Sequence, residues 1–202
     1  MVLAFLILSV SEKASGVIHS TAYSLNRAGT SHSDESNTVR NEPDELEEDC
    51  QRGPSEMNEE HKAQSDLFKR VHQHVVEDMK SALHHTSIAG AEASLHPIEK
   101  KGAFFLNDAD SPESIVVWHS FGDCCFVLMC DSDENVSLGG QILRQIIHSI
   151  SCHVVFVTPS ELLAKAGLVH AIVKLYLPAG KLLFVNQNVV KQYEQLLQRV
   201  AA

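Results

Sequence analysis

The chain has 202 residues and is 44% hydrophobic, a length and an apolar share that suit one globular domain and exclude wholesale disorder. Sixteen Lys+Arg against 26 Asp+Glu give a formal net charge of −10. That balance argues against a nucleic-acid coat and against a polybasic membrane anchor. Five cysteines, an odd number with Cys124 and Cys125 adjacent, suit a reducing compartment better than a secreted disulfide framework.

Residues 1–10 are almost wholly apolar. No Lys or Arg precedes them and no small-x-small site follows, so the run reads as a strand buried on both faces rather than a signal segment. Val17, His19, Thr21, Tyr23 and Leu25 alternate after a polar turn at 11–15, which predicts a hairpin. Residues 26–64 then hold eleven acids, four bases and only six apolar residues among thirty-nine. Such a stretch cannot offset its ordering entropy by burial, and it is expected to be an acidic disordered insert.

From Ser65, a plausible cap, the period changes to about 3.6, with Leu67, Phe68, Val71, Val75, Met79, Ala82 and Leu83 on one helical stripe. A Gly/Ala/Ser/His-rich flexible link is expected over 84–102, followed by strands at 103–107, 114–121 and 124–130. Gly122-Asp123 is a hairpin dipeptide between the last two. Leu138, Ile142, Leu143, Ile146, Ile147 and Ile150 predict the next helix, and residues 153–157 a short strand or a buried link. Thr158-Pro159-Ser160-Glu161 combines a cap, Pro at the first helical position and Glu at the third, and it opens a single expected helix through 177. Pro178-Ala179-Gly180 ends it, a short strand is expected at 181–185, and Asn186 is expected to cap a last helix to about Val200.

The order strand, strand, helix, three strands, helices is that of the longin fold. The expected fold class is therefore α+β and longin-like. A five-stranded antiparallel sheet lies between one helix and a later helical pair, with an extra C-terminal strand and helix in a single domain over 1–202.

Catalytic signals are sparse. Twelve histidines invite a metal reading, foremost His72 with His74, His84 with His85, and His119 near Cys124, Cys125 and Cys130. Neither CxxC nor HxxxH spacing occurs, and residues two apart on a helix face different directions. There is no GxSxG, HExxH, P-loop or GxGxxG. A Cys124–His119 pair across the hairpin lacks a Lys or Arg nearby in sequence to lower the thiol pKa. No catalytic, metal or cofactor site is expected.

The strings MVLAFLI (1–7), IVVW (115–118), DSDEN (131–135) and above all LPAGKLLFVNQNVV (177–190) resemble the sigma, or small, subunit family of the fifth adaptor-protein complex. The resemblance implies a non-catalytic small subunit of a heterotetrameric vesicle-coat adaptor that assembles with large and medium subunits. It further implies endosomal and lysosomal protein transport alongside spatacsin and spastizin, no nucleic acid, and membrane association only through the complex. The implied location is cytoplasmic, peripheral on late endosomes and lysosomes. A thiol- or metal-dependent enzyme and a stand-alone longin-type trafficking scaffold are the alternatives. The last stripe, Val189, Val190, Tyr193, Leu196, Leu197 and Val200, has no obvious place in a longin core and is the candidate partner interface.

Overall fold

The computed structural model describes residues 1–11, 14–23, 54–86, 99–108 and 111–183, together with 188–189, 192–193 and 195–196. Five strands form one antiparallel sheet: β1 (Val2–Ser11), β2 (Ala14–Ala22), β3 (Lys101–Asp108), β4 (Ser111–Phe121) and β5 (Cys124–Asp131). Their order is β2-β1-β5-β4-β3, so the two most apolar strands lie centrally. Leu6 pairs with Val127 and with Ser20, and Val117 pairs with Leu128 and Ala103.

β1 and β5 are buried on both faces, which is why neither shows a polar alternation. Phe5, Ile7, Cys124, Phe126, Leu128 and Cys130 meet α2 (Val136–Ser151) and α4 (Ala166–Tyr176) in one core. Ala4, Leu6, Leu8, Cys125, Val127 and Met129 meet α1 (Pro54–Thr86) in the other. Bulges after Val2 and Ile7 shift the register of β1 against its two neighbours.

α1 starts at Pro54, eleven residues before the expected cap at Ser65. Residues 54–64, expected within the acidic insert, are therefore helical. Glu, Met, Lys, Ala and Gln are good helix formers, and Pro is favoured in a first turn, so the segment supports a helix without an apolar face. Residues 24–53 lie outside the described residues, as do 87–98 of the expected link. Lys101 and Gly102, placed in that link by the sequence, open β3.

The hairpin turn at Gly122-Asp123 is as expected, with Gly122 at φ 61. Asn135 caps α2 by accepting the Leu138 N–H at 3.1 Å. Val154 is buried and residues 153–157 form an irregular link. The single helix expected over 158–177 is two: α3 (Pro159–Ala164) and α4, separated by Lys165 at φ −107, ψ 29. Lys165 Nζ donates to the His153 carbonyl at 2.7 Å, tying the break to the preceding link. The apolar spacing runs through this break unchanged, so periodicity alone could not reveal it.

Pro178–Gly180 forms a 3-10 turn that brings the chain back against the sheet. Gly180 sits at φ 70, and a Cβ there would lie 2.8 Å from the Val2 carbonyl oxygen and from Tyr23 Cβ, so only glycine fits. Residues 181–183 are irregular and pair with no strand, in place of the strand expected to begin there; 184–185 lie outside the described residues. Leu182 instead turns towards the α2 side of the core, where its Cδ1 would be 3.9 Å from a Cβ on Gly139.

Candidate interaction surfaces

Cys124, Cys125 and Cys130 are core residues, whereas Cys152 is exposed. Cys124 and Cys130 face α2 and α4, whereas Cys125 faces α1, so the sheet itself separates the adjacent pair. Burial pushes the Cys124 and Cys130 thiols up to about 12, and pushes Cys125 higher still. Thiolate chemistry is therefore disfavoured at all three. His119 is buried next to Glu99, with Nε2 3.5 Å from the carboxylate. Desolvation lowers its pKa, and Arg144 and Lys101 add to that effect against the opposing pull of Glu99.

His72 and His74 diverge as helical geometry requires. His72 Nε2 lies 3.2 Å from the Ser9 carbonyl, while the His74 ring is exposed and leans on Phe104 at 5.9 Å. His84 and His85 lie near the end of α1. No group of three His, Cys, Asp or Glu suited to a metal ion occurs among the described residues. A pairing that the sequence did not suggest joins β2 to α4: the His19 and His170 rings meet edge-on at 6.1 Å.

The large apolar side chains left exposed mark surfaces rather than chemistry. Among the last stripe, Val189 and Tyr193 are half-buried and Leu196 is 50% exposed. The Tyr193 ring packs edge-on against Tyr176 of α4 at 6.3 Å. This stretch thus leans on the domain through one residue and offers another to solvent. Val190, Leu197 and Val200 lie outside the described residues.

A second surface is the link before α3. Val155 is 78% and Phe156 70% exposed, yet the backbone of both is pinned. Their N–H groups donate to the two oxygens of the Glu161 carboxylate at 2.8 and 2.9 Å. The expected capping arrangement is thereby extended. Glu161 reaches past Thr158, whose own N–H is already donated to the Phe156 carbonyl at 3.0 Å. These backbone donations hold the Glu161 pKa below its ordinary value. Leu163, also exposed, lines a cleft with Val17 of β2 beside it.

A third surface is β3, where Phe105 is 63% exposed. Sequence reasoning had no reason to single it out. Phe104-Phe105 announces one phenylalanine per face of a strand, but not which face the helices leave open.

No helix among the described residues is long and apolar enough to cross a membrane. Residues 1–198 match the family profile described as AP-5 complex subunit sigma-1. The human protein named AP-5 complex subunit sigma-1 is 33% identical over 99 residues. That aligned stretch covers 47% of this chain and 49% of the human one, about half the length of each. The quoted strings have structural roles consistent with this kinship. IVVW lies in β4, DSDEN turns β5 into α2, and LPAG makes the turn that seats on Val2. Because the profile match spans nearly the whole sequence, the chain belongs to the AP-5 complex sigma-1 subunit family, a family of adaptor-complex subunits in protein transport.

Proposed function

We propose that this chain is the non-catalytic small subunit of a heterotetrameric adaptor complex and acts by assembly with large and medium subunits. The observation that carries the reading is the family match over residues 1–198. Deeply buried, protonated thiols and exposed apolar side chains on a rigid scaffold accord with a binding role rather than thiol catalysis. The cellular task is endosomal and lysosomal protein transport, alongside spatacsin and spastizin. The chain works on the cytoplasmic side of late endosomes and lysosomes, reaching the membrane through the complex.

The last stripe, Val189, Val190, Tyr193, Leu196, Leu197 and Val200, forms part of the partner interface in this reading. The exposure of Leu196 beside the anchored Tyr193 supports it. Affinity purification of the tagged full chain tests the proposal. Co-purification of the large and medium adaptor subunits is expected, and a chain that purifies without them refutes it. Replacing Leu196 and Leu197 by Asp should release the partner while leaving the melting temperature unchanged. Undiminished recovery would remove this stripe from the interface.

A further inference from the structure

β3 has two faces, and the helices cover one of them. Phe104 and Leu106 pack towards α1. Lys101, Ala103, Phe105 and Asn107 point to the side occupied by α2 and α4, and all four are exposed. The core on that side draws on β1, β4 and β5 and takes no residue from β3. The outer edge of β3 also has no strand partner among the described residues.

A cleft of about 240 Å³ separates this bare strand from α2. Ala103 and Val117 form its floor, Val136 and Gly140 its helical wall, and Lys101 and Arg144 contribute its charges. No carboxylate lines it, and neither cation forms an ion pair among the described residues. His119 lines the same cleft and feels both cations, with the Glu99 carboxylate 3.5 Å from its Nε2 acting on it more strongly in the opposite sense, so Lys101 and Arg144 are the charges the cleft itself presents.

We propose that this shelf docks an amphipathic helix of a partner chain, one whose apolar stripe is flanked by Asp or Glu. A strand added at the edge would pair the free backbone in the plane of the sheet and leave the face bearing Phe105 open. A helix is about 10–12 Å across and strands are about 4.8 Å apart, so a helix seated beside α2 covers both β3 and its edge. It would continue the helical layer that α2 and α4 begin, set Phe105 and Ala103 against its apolar stripe, and place its carboxylates near Lys101 and Arg144. The proposal rests on the reading of the chain as an adaptor subunit, with the large subunit supplying the helix.

The test co-expresses the full tagged chain with the large subunit and measures how much large subunit is recovered and the melting temperature of the chain. Phe105→Ser and Arg144→Glu should each reduce recovery at least tenfold with melting unchanged, whereas Lys101→Arg should retain it. Arg144 lies on the exposed side of α2, so its variant remains informative if Phe105→Ser disturbs the strand. Wild-type recovery with both variants overturns the docking site and leaves the adaptor reading standing. No recovery with the wild-type chain overturns that reading and the docking site with it.

Discussion

Gly102→Ala probes the packing of Trp118 of β4 across β3, on the face of the sheet that α1 covers. A Cβ at Gly102 would lie 2.7 Å from Cε2 and Nε1 of Trp118 and 2.8 Å from Cζ2. Comfortable carbon contacts are about 3.5–4.0 Å, so the ring would have to retreat by about 1 Å. It has little freedom to do so, because Trp118 is 1% exposed and its Nε1–H donates to Asp78 Oδ2 at 2.8 Å. Overpacking of this kind costs about 1–3 kcal/mol, and loss of the hydrogen bond about 0.5–1.5 more. Reduced freedom of the unfolded chain offsets about 0.4–1 kcal/mol, leaving a net loss of about 0.5–4. For a chain of this length each kcal/mol lowers the melting temperature by about 2–4 °C, so a fall of about 1–16 °C is expected. Trp118 is the sole tryptophan, so its fluorescence follows the displacement directly, and a shifted native emission should accompany the lower melting temperature. Gly16→Ala on β2 is the control, since a Cβ there meets nothing within 4 Å. If Gly102→Ala melted at the wild-type temperature with unaltered emission, the packing argument would be wrong.

Asn135→Ala removes the side-chain cap of α2 and should cost about 1 kcal/mol in a urea titration; no change in midpoint would show that water replaces the cap. Alkylation of the native protein should modify the exposed Cys152 and spare Cys124, Cys125 and Cys130 until unfolding, and rapid labelling of any of these three would contradict their burial. Desolvation lowers the pKa of His19, with His170 adding repulsion, and also lowers that of His119, so on acidification the unfolded chain takes up these protons first. Stability should therefore be unaffected by them above about pH 6.5 and decline as pH falls below it. Comparing urea midpoints at pH 7.5 and 5.5, His19→Gln should shrink the difference; an equal decline in the variant would exclude His19 as a source.

The central strands were legible because double burial leaves an apolar run with no alternation, as in β1 and β5. The hairpin at Gly122 and the α2 stripe were legible for equally local reasons: a turn dipeptide, and a spacing of three to four. What escaped lies where local pattern and chain context part. The first turns of α1 carry helix-forming residues without an apolar stripe, and their acidity resembles that of the segment before them. The break at Lys165 leaves the apolar spacing intact and depends on a long-range bond to His153. Residues 181–183 have a strand-like composition, but Leu182 is taken up by the core beside α2. The open face of β3 depends on how far α2 extends over the sheet, which no property of β3 itself encodes. The family was readable from short strings, whereas Phe105 became visible as a surface only in the folded chain.

The pairing of β1 with β5 also sets a timetable for synthesis. Leu6 pairs with Val127, 121 residues later in the chain. At about 5–20 residues per second, a ribosome needs roughly 6–24 s to deliver that partner strand. Throughout this interval the most apolar stretch of the protein has β2 as its sole neighbour in the sheet, and the helices that will cover one of its faces have not yet been made. The nascent chain thus leaves the α2-facing side of its future core open until β5 and α2 emerge, a window in which chaperone capture competes with aggregation.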